Sequence, residues 1–290
     1  MKHLYTLLFV FVLICGDMHA QQPIVVSQDS LRFAGNNMPG FRVIIPEADY
    51  DKTVKNWKKL LQSGTKSKIV EKNNEMTIFG ARIKKVSDNP VNVYSIINDR
   101  KGSVELQAAM ELEKDKFISE SEAKKAKEFL FDFSRDQYID VVTAQLNDEK
   151  SKLRSLESDL NSLQREQSRM EKSSKDNTKL ITEEQERLRN LNNELDYLTA
   201  EPRTGEAATG MGVTDPDTKK DAEKNEKKLN REIKSTEKKI NKAESEIDDN
   251  KREIPRNAEA QEEARNKVTE QQTIVNSLED KLETIKKYKL

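Results

Sequence analysis

Imidazole and thiol chemistry is confined to the first nineteen residues of the chain, where His3, Cys15 and His19 are its only histidines and its only cysteine. The same stretch reads as a secretory signal. Lys2 and His3 make a short basic start, and Leu4 to Cys15 form a twelve-residue apolar run, short of the about 20 residues that span a bilayer. The expected cut follows Ala20, giving residues 1–20 as the signal and a mature start at Gln21. Ile14 stands where a lipoprotein signal wants a small residue, so lipidation of Cys15 is disfavoured. A chain cut there carries no thiol and no imidazole. Cys/His and Ser/His/Asp catalysis, His- or Cys-ligated zinc, iron or copper, and disulfides are then all excluded.

The groups left for proton transfer are Asp, Glu, Lys and Tyr, and none of them forms a distinctive constellation. Asp99-Arg100-Lys101-Gly102 reads as a turn. Asp215-Pro216-Asp217-Thr218 offers oxygens of the kind that hold calcium, but Pro216 and Asp217 are also favoured helix-start residues, and that reading is preferred. No glycine-rich phosphate loop follows a strand. Trp57, with Phe129, Phe133 and Tyr138, has the makings of an aromatic ligand cage; the simpler expectation is that these rings fill the space between helices and sheet. The sequence therefore points to a non-enzyme with no cofactor and no metal.

The elements around these residues fall into two textures. Residues 22–138 read as an α+β domain. Ile24–Phe33 and Phe41–Pro46 have β-branched, alternating character. A helix follows, with Val54, Trp57, Leu60 and Leu61 on one face, bounded by Pro46 and Gly64. Two hairpins come next, turning near Lys72-Asn73-Asn74 and at Asn98 to Gly102. Ser119-Glu120-Ser121-Glu122 is a capping box opening a second helix. Six strands and two helices predict an antiparallel sheet with helices on one face.

From Ile139 the pattern becomes heptad. Core positions run from Ile139 and Val142 to Leu195 and Leu198, and again from Leu229 and Ile233 to Leu282 and Ile285. Such sustained repeats argue coiled coil. They give arms at 139–198 and 219–290, separated by residues 199–218 with Gly205, Gly210, Gly212, Pro202 and Pro216, residues that stop a helix. Heptad runs of equal length, 139–198 and 226–285, around a breaker segment predict a long antiparallel helical hairpin. Its first helix, about Ser121 to Thr199, would be on the order of 120 Å long at 1.5 Å per residue. Folding at the turn places Leu195 against Leu229, Ser174 against Asn250, and Gln167 against Asn257. Glu157–Arg265, Asp159–Lys267 and Glu171–Lys251 fall together as opposite charges, whereas Arg187 meets Lys239 and Glu194 meets Glu232. Gln167, Ser174, Asn250 and Asn257 would make a polar seam that fixes register, with Pro255 kinking the second helix beside it. Gly210, Met211, Gly212 and Val213 at the tip are a candidate docking point for a partner.

Charge singles out no partner. Lys plus Arg number 51 and Asp plus Glu 52, interspersed as on a solvated helix face, so a nucleic-acid partner is not expected. No apolar run spans a membrane in the mature chain. An exported chain with a small β body and one helical hairpin resembles, in architecture, the periplasmic Skp/OmpH-type holdase chaperones. That resemblance would imply a trimeric body and arms that enclose unfolded clients. In that family the strands flank the hairpin and the body is basic, whereas here every predicted strand precedes the hairpin and charge is balanced overall. The expectation is therefore a secreted or periplasmic scaffold or adaptor acting through protein partners, with self-association open. The alternatives are a holdase and a small-ligand-binding α+β body on a coiled-coil stalk.

Overall fold

The computed structural model describes residues 24–114, 116–118, 120–200 and 216–290. The expected signal, Ser119 of the expected capping box, and the tip residues Gly210, Met211, Gly212 and Val213 lie outside them. The chain is an α+β domain followed by a helical hairpin. It divides into two compact units: one comprising the residues up to Ser151 with Gln272–Leu290, and one comprising Lys152–Gln271.

In the first unit, β1 (Val26–Phe33) and β2 (Asn36–Pro46) form a hairpin, and α1 (Tyr50–Leu61) follows. Next come β3 (Val70–Lys72), β4 (Glu75–Ala81), β5 (Val91–Arg100), β6 (Ser103–Glu113) and the two-residue β7 (Lys116–Phe117). All pairings are antiparallel, in the order β1-β2-β6-β5-β4-β3, with β7 beside β6. The expected turns at Asn73 and Gly102 are present, each with a positive φ (56° and 74°). β7 is too short to leave a periodic signal.

One sheet face carries Phe41, Val43, Ile45, Val93, Ile97, Leu106 and Met110, all buried. Onto it pack α1 through Trp57 and Leu61, and α2 (Glu120–Ala200) through Ala126, Phe129, Leu130 and Phe133. The last turns of α3 (Pro216–Lys286) complete this core: Ile285 is fully buried in it, and Leu278 and Leu282 pack against it. The domain is therefore closed by residues from both ends of the chain.

The other sheet face has a smaller core of Leu31, Phe33 and Ala109, flanked by Met38, Tyr94, Ile96 and Phe117. β1 and β5 are not neighbours in the sheet, yet the Phe33 and Tyr94 rings meet edge to face at 5.4 Å. The Ala34 backbone N–H donates to Glu75 Oε1 on β4 at 3.3 Å. The far end of the β1–β2 hairpin thus curls over the sheet. Gly40 permits the bend, because a Cβ there would lie 2.8 Å from the Ala108 carbonyl oxygen.

The β2–α1 connection is held by charge. Glu47 has φ +56°, a left-handed conformation that costs a non-glycine residue stability and persists only when its surroundings impose it. Its Oε1 accepts from Lys281 Nζ at 2.6 Å and from the Tyr138 hydroxyl at 3.3 Å, and its Oε2 accepts from Gln145 Nε2 at 3.2 Å. Lys281 also lies over the Tyr138 ring, 5.6 Å from its centroid. Two residues on, Asp49 caps α1 by accepting from the Lys52 N–H at 2.8 Å. Burial pushes the Glu47 carboxyl up, but Lys281, Gln145 and Tyr138 together outweigh it and hold the group below its ordinary value of 4.5. Burial, with the Glu47 charge beside it, pushes the Tyr138 phenol well above its ordinary range.

A carboxyl whose pKa is lowered by folding stabilises the fold above its unfolded pKa, and that contribution is lost as pH falls through the folded value. Glu47→Gln should therefore cost about 1–2 kcal/mol at about pH 7. The gap to wild type should close as the buffer is taken below 4.5, the ordinary value of the group. Thermal melts of both proteins across that range check it; a gap independent of pH would show that the charge contributes nothing.

Candidate functional site

The polar positions singled out by the heptad pattern lie in the second unit, where the structure joins them into two clusters, Ser174 with Asn250 and Gln167 with Asn257 through Gln261. Ser174 Oγ donates to the Met170 carbonyl at 2.9 Å, and Asn250 Nδ2 donates to Ser174 Oγ at 3.0 Å and to that same carbonyl at 3.2 Å. The Ser174–Asn250 pairing thus forms in the expected register. Gln167 and Asn257 are not bonded to each other. Gln167 Oε1 accepts from Gln261 Nε2 at 2.5 Å, and Gln167 Nε2 donates to Glu171 at 2.8 Å. Asn257 Oδ1 accepts from Gln261 Nε2 at 2.7 Å, while its amide points to Glu166 at 3.5 Å. Arg265 caps the series by donating to Gln261 Oε1 at 3.2 Å. Gln261 is the residue that the pattern did not single out, although Asn257 and Gln261 are both buried. Amide side chains reach a full turn along the helix, so heptad facing alone does not give their partners.

Long side chains also resolve the expected like-charge contacts. Arg187 pairs with Glu232 at 3.5 Å and Lys239 with Glu184 at 2.6 Å, so each cation takes a carboxylate of the other helix in place of the cation expected opposite it. Lys251 pairs with Asp248 along its own helix, at 3.3 Å, and Glu171 is occupied by Gln167. The expected Glu171–Lys251 pair is therefore replaced by local ones. Apolar seam residues Leu191, Leu229, Ile240 and Ala243 are buried, and Asn177 donates to Glu246 at 2.9 Å.

Pro255 lies within α3, on its exposed side, so the helix continues through it. A proline there removes one main-chain hydrogen bond, leaving the Lys251 carbonyl without that partner. This local weakness sits within a few residues of the Asn257–Gln261 network.

In the first unit the aromatic residues fill space. Trp57 is fully buried and donates from Nε1 to Ser95 Oγ at 2.9 Å. Phe133 and Phe129 lie 4.9 Å and 5.8 Å from its ring. Packed against two rings of α2 and hydrogen-bonded to the sheet, the indole has the surroundings of a core residue. Among the described residues no group of three or more His, Cys, Asp or Glu is arranged to hold a metal ion, and no helix is long and apolar enough to cross a membrane.

These features define an α+β domain with a helical hairpin whose seam contains two hydrogen-bonded polar clusters. Comparison of the chain with known protein families and with curated proteins gives no match.

Three outcomes follow from this geometry. Gln261→Leu strands the acceptors of Gln167 and Asn257 and should cost about 1–3 kcal/mol. Replacing Gln167, Asn257 and Gln261 together by Leu should instead give a hairpin more stable than wild type, because no buried polar group is then left unpaired. Urea unfolding of the single and triple variants separates a network from independent contacts. Pro255→Ala should stabilise the chain by up to about 3 kcal/mol; a neutral result in the same assay would mean that the helix is not continuous there in solution.

Proposed function

We propose that the protein is a non-enzymatic scaffold or adaptor, exported across the inner membrane and acting in the periplasm or at the cell envelope through protein partners. The observation that carries this reading is the locked seam of the second unit. Its apolar residues are used in pairing the two helices, and its polar ones are bonded to each other. Buried polar pairs of this kind fix register at a cost in stability. A fixed register keeps the outward side chains in constant relative positions, which is what a spacer or docking rod needs.

The holdase reading calls for an apolar lining along the arms. In the second unit the large apolar side chains that stand exposed among the described residues are Leu180 and Tyr197. Two scattered side chains are ordinary for a soluble surface, and this favours the scaffold. The ligand-binding reading centres on Trp57, whose surroundings are filled.

Photo-crosslinkers placed in cells at the exposed positions Glu223, Lys238 and Glu259 test the choice. A scaffold gives a few discrete adducts that depend on position. A diffuse ladder of many clients, equal at all three positions, would favour the holdase and overturn the scaffold.

A further inference from the structure

Although the chain as a whole is nearly neutral, charge is not evenly spread along it. Residues 50–85 contain ten Lys or Arg and only three Asp or Glu, whereas the whole chain has a net charge of -1. The sequence average hides this excess, and the fold gathers it. Lys55, Lys58 and Lys59 line one shallow depression on α1. Lys58 bonds to Glu71 of β3 at 2.5 Å, placing the edge strand beside that helix face. Lys66 and Arg82 line a second depression with Gly64 and Thr65, and Thr65 Oγ1 donates to the Gly80 carbonyl at 3.1 Å. α1, the loop after it, β3 and the end of β4 thus form one continuous surface.

Of the ten cations, Lys58 and Lys85 are paired, with Glu71 and Asp132. Lys52, Lys55, Lys59, Lys66, Lys68, Lys72, Arg82 and Lys84 are exposed and have no ion-pair partner among the described residues. Short edge strands are often protected by lysine, which accounts for Lys72 but not for the row on α1. Asp132, Asp136 and Asp140 of α2 border the surface beside Lys59 and Lys85. The uncompensated field therefore belongs to the side of α1 turned away from α2.

We propose that this surface docks the domain on an anionic lipid surface. Three features select lipid over other polyanions. Seven of the eight unpaired cations are lysines, whose ammonium groups are point charges suited to a diffuse field; guanidinium forks are the usual choice for directed contacts with one phosphate or carboxylate. Val70, between Lys68 and Lys72 in the chain, stands exposed, 62%, and offers a short apolar contact to a headgroup layer. No exposed aromatic ring stands among these lysines in the described residues, as stacking on nucleic-acid bases requires; Phe79, on the opposite sheet face, packs against Tyr94. The inference extends the scaffold reading by naming what the body rests on, and vesicle binding is independent of whether the hairpin holds a protein partner.

The test is co-sedimentation of the full chain with vesicles of phosphatidylcholine alone or mixed with phosphatidylglycerol. The apolar run Leu4–Cys15 would serve both vesicles alike, so the readout is the difference between them. Anionic vesicles should bind more tightly, and about 1 M salt should erase the difference, since the Debye length then falls to about 3 Å. A Lys55→Gln, Lys66→Gln, Lys72→Gln variant should lose roughly a hundredfold in that affinity, at about fivefold per lysine. A control replacing the exposed Lys224, Lys228 and Lys238 by Gln should retain it. Equal binding to both vesicles, or equal loss in both variants, overturns the proposal. So does binding to poly-glutamate or single-stranded DNA that anionic vesicles fail to compete away.

Discussion

The core of the α+β domain cannot close until the last turns of the chain have returned to it. Ile24 and Ile285 belong to one hydrophobic cluster, and Ile285 is fully buried there beside residues of α2 such as Tyr138 and Val142. Every residue between them must be placed first or left out as a loop, so the domain depends on contacts of very high sequence separation. Such contacts carry the closure entropy of the intervening chain before they contribute anything. Pairing of the helices reduces that cost, because a seam formed locally near the turn can extend stepwise toward the domain. The heptad pattern is thus also what makes the body's own core accessible to its final residues.

Glu47 shows the same dependence at the level of one side chain. Its backbone is in a conformation unfavourable for any residue but glycine, and glycine would have relieved the strain. The carboxylate explains the choice: Lys281 from α3, and Tyr138 and Gln145 from α2, converge on it. An acid placed where both helices meet the β2–α1 connection ties three elements with one group. A glycine would have made an easier turn and left Lys281 without its carboxylate.

Much of this architecture is legible in the sequence, and the parts that are not have identifiable causes. Alternation in Val91–Arg100 and Ser103–Glu113 and the heptads from Ile139 onward depend on near neighbours in the chain, so periodicity reveals them. Trp57 could be expected to be core because its helix face also holds Leu61. The clamp on Glu47 could not, since its partners lie far along the chain and glutamate is abundant in this sequence. Gln261 escaped notice because it occupies one of several polar seam positions, and only the reach of its amide makes it the centre of the network. The curl of the β1–β2 hairpin left a single trace, Gly40 inside a strand, of the kind that marks a close backbone approach.

Charge is where whole-chain reasoning misleads most, and the two units treat it differently. Along α3 of the second unit four cations are neutralised locally: Lys251 by Asp248, Arg252 by Asp249, Arg256 by Glu253 and Lys242 by Glu246, each one turn apart on the exposed surface. Exposed pairs of this sort add little stability. Their main physical effect is to weaken the local field around those four cations. In residues 50–85 the same lysine-rich chemistry appears with few carboxylates. Stability does not demand that scarcity, since adding acids to α1 at one-turn spacing would stabilise the helix slightly. The row of exposed lysines that this surface leaves unpaired is what the proposed anionic lipid surface would match.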